Sequence, residues 1–165
     1  MNFQTKEGYR LNVAMIIFNE DKKVLFCRRK NTENWQFPQG GVDEGEKIEN
    51  AMLRELEEEV GLLEREISII AESHDLIYYD IPKNIRSKVL GGKYKGQAQK
   101  YFLLKLTSGV INLNKEKNPE FDDYKWVPFW FPLRRVVDFK KEAYRKALIE
   151  FCLLYTSDAA DDGSR

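Results

Sequence analysis

The sequence predicts an α/β fold, a single mixed sheet with helices packed on its faces. Three observations predict it. Apolar, β-branched stretches and helical windows follow one another in the order strands, helix, strands, helix. The chain has 165 residues and no linker or internal repeat, which suits one domain of ordinary size. Hydrophobic residues at 42% against 33% charged describe a globule that buries a core rather than a disordered chain.

Each element has its own signal. LNVAMIIFN at 11–19 is a buried strand, EDKK at 20–23 a polar turn, and VLFCRR at 24–29 the return strand of a hairpin. WQFPQGG at 35–41 breaks regular structure with Pro38 and two glycines. The window 46–60 is free of proline and glycine and is filled with Ala51, Met52, Leu53 and Leu56, so it predicts a helix that stops at Gly61. Strands are expected at 67–74, 76–81 and 99–106, a short one in DYKWVPF before Pro128, and a last helix over 140–151.

Composition narrows the function. Lysine plus arginine and aspartate plus glutamate both number 27, so the chain is no bulk polycation, and nucleic-acid binding requires local patches. Apolar runs such as 13–18 fall far short of the ~18 residues of a membrane span, and MNFQTKEGYR lacks the apolar core of a secretory signal. Two cysteines, Cys27 and Cys152, argue against a disulfide scaffold and for the reducing cytoplasm. His74 is the sole histidine and reads as structural or exposed. Cys27 reads as core filler, Trp35 as packing beneath the 40–46 loop, and Trp126 and Trp130 as core or rim aromatics. Carboxylates are left to carry the chemistry.

They concentrate in residues 40–62, GGVDEGEKIENAMLRELEEEVGL. At roughly 100° per residue, Glu55, Glu58 and Glu59 share an arc of about 100°, while Glu57 points elsewhere. Ile48, Met52, Leu56 and Val60 form an apolar row beside that arc, which places the acids at the edge of a packed interface. Like charges so close call for a positive partner. Oxygen ligands without cysteine or histidine select Mg²⁺ or Mn²⁺, and Mg²⁺ in turn points to phosphate chemistry. Arg54, four residues before Glu58, is placed to hold a carboxylate. By itself such a run describes a solvated helix face as readily as a metal site.

The spacing around it is more specific. Gly40, Glu46, Arg54-Glu55-Leu56, Glu58-Glu59 and Gly61-Leu62 reproduce the Nudix box. The resemblance implies an α/β/α sandwich and hydrolysis of a diphosphate linked to another group. It further implies that Glu55, Glu58 and Glu59 are metal ligands, with Glu55 also the general base. Gly40 would add its backbone carbonyl, Arg54 would orient the glutamates, and Glu46 would stabilise the loop.

The likeness extends beyond the box. GYR at 8–10, RR at 28–29, WQFPQGG at 35–41, GQ-x-QK at 96–100, PEF at 119–121 and FK at 139–140 resemble the bacterial RNA pyrophosphohydrolases. Those enzymes remove pyrophosphate, or phosphate, from tri- or diphosphorylated RNA 5′ ends and so begin mRNA decay. The resemblance implies Glu120 as a further metal ligand and Arg10 and Arg29 as a polyphosphate clamp. Phe139 with Lys140 would receive a base, and Gln97, Val137 and Tyr79 would line the nucleotide groove. Taken alone, these would be ordinary surface arginines, a loop acid and a helix-start anchor. Asp138, beside Phe139, and the zero net charge depart from what an RNA path calls for.

Two other functions stay open: hydrolysis of a dinucleoside polyphosphate such as diadenosine tetra- or pentaphosphate, and a non-catalytic module that senses nucleotides or scaffolds RNA decay. The sequence is silent on an activating protein partner. Finally, CLLYTSDAADD resembles a translated sequencing adapter, so residues 152–165 are set apart as a non-native tail and the domain is taken as 1–151.

Overall fold

The computed structural model describes residues 4–160, with side chains described through Tyr155. The strands β1 (Tyr9–Phe18), β2 (Val24–Arg29), β3 (Trp35–Gln36) and β4 (Gln39–Gly41) precede helix α1 (Ile48–Val60). Then come β5 (Ile67–Glu72), β6 (Ile77–Asp80), β7 (Gly96–Leu106) and β8 (Phe121–Val127), followed by the short α2 (Phe131–Arg135) and α3 (Lys141–Ala160). The strands make one mixed sheet whose spine is the parallel pairing of β1 with β7, in register from Tyr9↔Gly96 to Phe18↔Lys105.

The period of two in these strands sorts side chains onto two faces. Val13, Met15 and Ile17 of β1, with Leu25, Cys27, Phe102 and Leu104, meet Ala51, Met52, Leu56 and Val60 of α1. Ala14, Ile16 and Phe18, with Phe26, Tyr101 and Leu103, meet Ala143, Tyr144, Ala147, Leu148 and Phe151 of α3. The result is a sheet between helices, an α/β/α sandwich. Among the described residues, no helix is long and apolar enough to cross a membrane.

The expected hairpin forms only at its turn. Asn19 N–H bonds Lys23 O at 3.0 Å and Phe18 faces Val24, but β1 and β2 then diverge. The freed edge of β1 takes β4 (Asn12↔Gly41, Ala14↔Gln39), and β2 pairs with β8 from Val24↔Val127 to Arg29↔Phe121. WQFPQGG is therefore two short strands joined at Pro38, and its glycines lie inside the sheet. Helix α1 starts at Ile48, later than 46, with extended Lys47 before it (φ −71°, ψ 142°). It ends as expected on left-handed Gly61 (φ 74°), whose N–H reaches Glu57 O at 3.0 Å. Helix α3 runs beyond 151 to Ala160, and Tyr155 stacks on Phe129 with ring centroids 4.5 Å apart.

Trp35 does not pack beneath the 40–46 loop. It stacks on Phe26, centroids 6.0 Å apart, in the layer on the α3 side, because its position in β3 points it away from α1. Cys27 is fully buried in the α1 layer, and Trp126 packs at that layer's edge.

Candidate active site

Burying the apolar row of α1 against the sheet fixes the rotation of the helix, and with it the direction of its acids. Carboxylate oxygens of Glu55, Glu58 and Glu59 all lie within 4.8 Å of one another. Glu57 sits off this arc and pairs with Lys115 at 2.8 Å. Glu55 is buried, whereas Glu58 and Glu59 are half-buried.

Arg54 organises the cluster from behind. Its Nε donates to Glu46 Oε2 at 2.9 Å and its Nη2 to Glu46 Oε1 at 2.9 Å, a two-point pairing. Nη1 donates to Glu55 Oε1 at 2.9 Å and Glu58 Oε2 at 3.2 Å, and Nη2 also reaches Gly41 O at 2.9 Å. One guanidinium thus ties the loop to two of the three acids. Glu46 in turn accepts the Asp43 N–H at 3.0 Å. The Arg54 hydrogen bond holds the Glu46 carboxyl below the usual carboxylate range.

The glycines of β4 are there for close approach. A Cβ on Gly40 would lie 1.9 Å from Glu55 Cδ, and one on Gly41 would lie 2.0 Å from Arg10 Nη2. Glu55 and Arg10 therefore press directly on the β4 backbone.

The cluster is short of positive charge. Burial, then Glu120, Glu55 and Glu58, push the Glu59 carboxyl up to about 8. Its Oε2 is buried without a hydrogen-bond partner. Burial raises Glu55 as well, against the opposing pull of Arg54. An orphaned buried carboxylate oxygen among all-oxygen donors fits a hard divalent cation. Glu120, from the loop before β8, faces the same space and pairs with Arg29 at 3.5 Å.

A cavity of about 350 Å³ opens in front of these acids. One end is charged and carries Arg10, Arg29, Gly40, Glu55, Glu59 and Glu120. The other end is aromatic. Tyr79 and Phe139 lie 5.7 Å apart with a tilt of 43°, and Gln97 Nε2 donates to Tyr79 Oη at 2.7 Å. Gln97 Oε1 is buried and unpartnered, a free acceptor in the wall.

Lys140 is not simply a charge next to Phe139. It is buried, donates to Gln36 Oε1 at 3.1 Å, and lies 5.6 Å from the Tyr79 ring. Burial, with Arg29 nearby, pushes its ammonium down to about 8. Val137 is exposed and does not line the cavity. Asp138 is exposed and pairs with Lys141 at 3.1 Å. His74 is exposed beside Asp75 at 3.2 Å, away from the cavity.

Two parts of the wall escape sequence reasoning. Gln99 Nε2 bonds Asn12 Oδ1 at 2.9 Å and Gln39 Oε1 at 3.0 Å, and Tyr101 Oη donates to Gln99 Oε1 at 2.9 Å. This buried polar network underlies the cavity floor. Its only trace in the sequence is Asn12 and Gln99 interrupting apolar strands. Lys88, Val89 and Leu90 of the loop after β6 also line the cavity, with no local motif to announce them.

A helix bearing a carboxylate arc, fed by a glycine loop and set on a mixed sheet, defines a Nudix hydrolase. The chain belongs to that family: the NUDIX domain profile matches residues 8–150. It is 45% identical over 150 residues to the RNA pyrophosphohydrolase of Vibrio vulnificus (strain YJ016), covering 90% of this chain and 87% of that one. With the RNA pyrophosphohydrolase of Francisella tularensis subsp. mediasiatica it shares 48% identity over 149 residues, 88% of this chain and 95% of that one. In fold it is similar to the dihydroneopterin triphosphate pyrophosphohydrolase of E. coli, with a TM-score of 0.67, 22% identity, and coverage of 87% of this chain and 99% of that one. A C. elegans Ap4A hydrolase gives a TM-score of 0.65 at 19% identity, with coverage of 87% and 98%.

Proposed function

We propose that the protein is an RNA pyrophosphohydrolase, releasing pyrophosphate or phosphate from tri- or diphosphorylated RNA 5′ ends in the cytoplasm and so starting mRNA decay. The observation that carries this reading is the two-ended cavity. A polyphosphate site of acids and arginines adjoins an aromatic site for a base, within the reach of one 5′-terminal nucleotide.

Glu55, Glu58, Glu59 and Glu120 hold the divalent cation, Mg²⁺ or Mn²⁺, with the Gly40 carbonyl as a further ligand. The cation supplies charge neutralisation for the polyphosphate and a lowered pKa for the attacking water. Arg10 and Arg29 grip the phosphate chain through charge-assisted hydrogen bonds and hold it in line for displacement. Glu55 is the general base, and Arg54 is the positioning residue that sets its carboxylate. Phe139 and Tyr79 receive the terminal base. Gln97 Oε1 and Lys140 offer an acceptor and a donor to base edges, while Val137 contributes only at the rim.

The test sets release of labelled pyrophosphate from triphosphorylated RNA beside formation of ATP from diadenosine tetraphosphate at equal concentration. Faster turnover of the RNA is expected. Preference for the dinucleotide would make the protein a dinucleoside polyphosphate hydrolase. Binding of both without turnover, in Mg²⁺ and in Mn²⁺, would make it a sensor module.

A further inference from the structure

The chain is neutral overall, yet its charge is unevenly placed beside the cavity. Residues 83–95, KNIRSKVLGGKYK, hold five basic side chains and no acidic one. This loop follows β6 and is pinned at both ends of its base: Ile81 N–H bonds Lys95 O at 2.7 Å, and Lys95 N–H bonds Gly8 O at 2.7 Å. Between those pins the backbone takes left-handed conformations at Leu90 (φ 51°), Gly91 (φ 70°) and Gly92 (φ 74°). Lys88, Val89 and Leu90 form part of the cavity wall.

Elsewhere on the molecule, cations are matched by carboxylates: Arg28 by Asp122 at 2.8 Å, Lys115 by Glu57 at 2.8 Å, Lys141 by Asp138 at 3.1 Å. The loop differs. Lys83, Lys88, Lys93 and Lys95 are exposed, and among the described residues none of them is in an ion pair with a carboxylate. The 40–46 loop and the α1 arc, by contrast, present Asp43, Glu44, Glu58 and Glu59. A polyanion whose 5′ end sits in the cavity is repelled by that acidic rim and attracted by the lysine-bearing one.

We propose that the 83–95 loop is the track for the RNA chain downstream of the nucleotide held in the cavity, its unpaired lysines gripping successive phosphates without regard to sequence. The proposal rests on the reading of this protein as acting on RNA 5′ ends. It makes the loop a device for favouring long RNA over short nucleotides. Contacts of this kind show a salt dependence that steepens with each phosphate neutralised, by roughly 0.7 in the log–log slope per contact on a single strand.

The experiment compares wild type with Lys83→Gln/Lys93→Gln, Lys83→Glu/Lys93→Glu and Lys83→Arg/Lys93→Arg. Binding of a 5′-monophosphorylated RNA dodecamer and of the matching dinucleotide is measured by anisotropy against salt concentration, and pyrophosphate release from triphosphorylated RNA is recorded separately. The Gln pair is expected to weaken dodecamer binding by roughly tenfold at low salt and to flatten the salt slope by about one unit. The Glu pair weakens it further, the Arg pair restores it, and the dinucleotide changes little throughout. Equal loss on both lengths, no loss on either, or failure of the Arg pair to restore binding would overturn the proposal. Dodecamer binding that follows the expected series in a protein that releases no pyrophosphate would support the track and sink the proposed activity.

Discussion

Gly40 and Glu55 are in such close contact that a Cβ at position 40 would fall 1.9 Å from the Glu55 carboxyl carbon. The strand β4 thereby sets where the candidate general base can sit. Gly40→Ala is expected to displace Glu55 by about an ångström and lower kcat roughly a hundredfold. The far-UV circular dichroism spectrum should stay that of the wild type. Wild-type turnover in Gly40→Ala would show that the position of Glu55 is immaterial.

Arg54 binds Glu46, Glu55, Glu58 and the Gly41 carbonyl at once. Lysine has the charge but not the fork, and it cannot satisfy these acceptors together. Arg54→Lys is expected to lose about 2 kcal/mol of stability in urea unfolding, together with most of its turnover. Recovery of both by Lys would reduce the hub to a charge.

Stability of the metal-free protein is expected to depend on pH through Glu59. Its carboxyl is pushed up to about 8 in the folded state, against 4.5 ordinarily, so folding favours the protonated form. That contribution is complete below about pH 4.5 and disappears as pH rises towards 8. The melting temperature without divalent cation should therefore fall from pH 5 to pH 8, and Glu59→Gln should flatten the decline. Added Mn²⁺ should raise the melting temperature most at the alkaline end, because the ionised carboxylates are the form that binds it.

Residues 152–165 are expected to play no part in the site. Tyr155, which stacks on Phe129 and meets Phe18 edge-on, is the one ring contact at stake in that segment among the described residues. Truncation after Phe151 should leave turnover of triphosphorylated RNA intact and cost about 1 kcal/mol in thermal unfolding. Loss of turnover on truncation would give the segment a role at the site.

Legibility in the sequence followed the range of the interactions. Helix α1 and the arc of Glu55, Glu58 and Glu59 were readable because helical periodicity and the apolar row of Met52, Leu56 and Val60 are local properties. Gly61 as a stop was readable for the same reason. The divergence of β1 from β2 was not. It depends on β4 and β8 competing for strand edges, which is a choice made by distant chain segments. Lys140 offered a charge near Phe139, but nothing local told that Gln36, more than a hundred positions earlier in the chain, would hold it under the cavity. Trp35 was assigned to the wrong layer because a two-residue strand carries too little alternation to reveal its face. The tie of Glu46 to Arg54 followed the family resemblance, while its two-point geometry needed the folded loop.

The most direct measurement of the central claim is turnover of triphosphorylated RNA by Glu57→Gln set beside Glu58→Gln at saturating Mg²⁺. Glu57 is engaged with Lys115 on the outer face, an exposed pair worth about 0–1 kcal/mol. Glu58 shares the inward arc. Near wild-type rates for Glu57→Gln with a loss of roughly a hundredfold or more for Glu58→Gln are predicted. Equal losses at the two positions would contradict the claim that the rotation of one buried helix selects which acids do the chemistry.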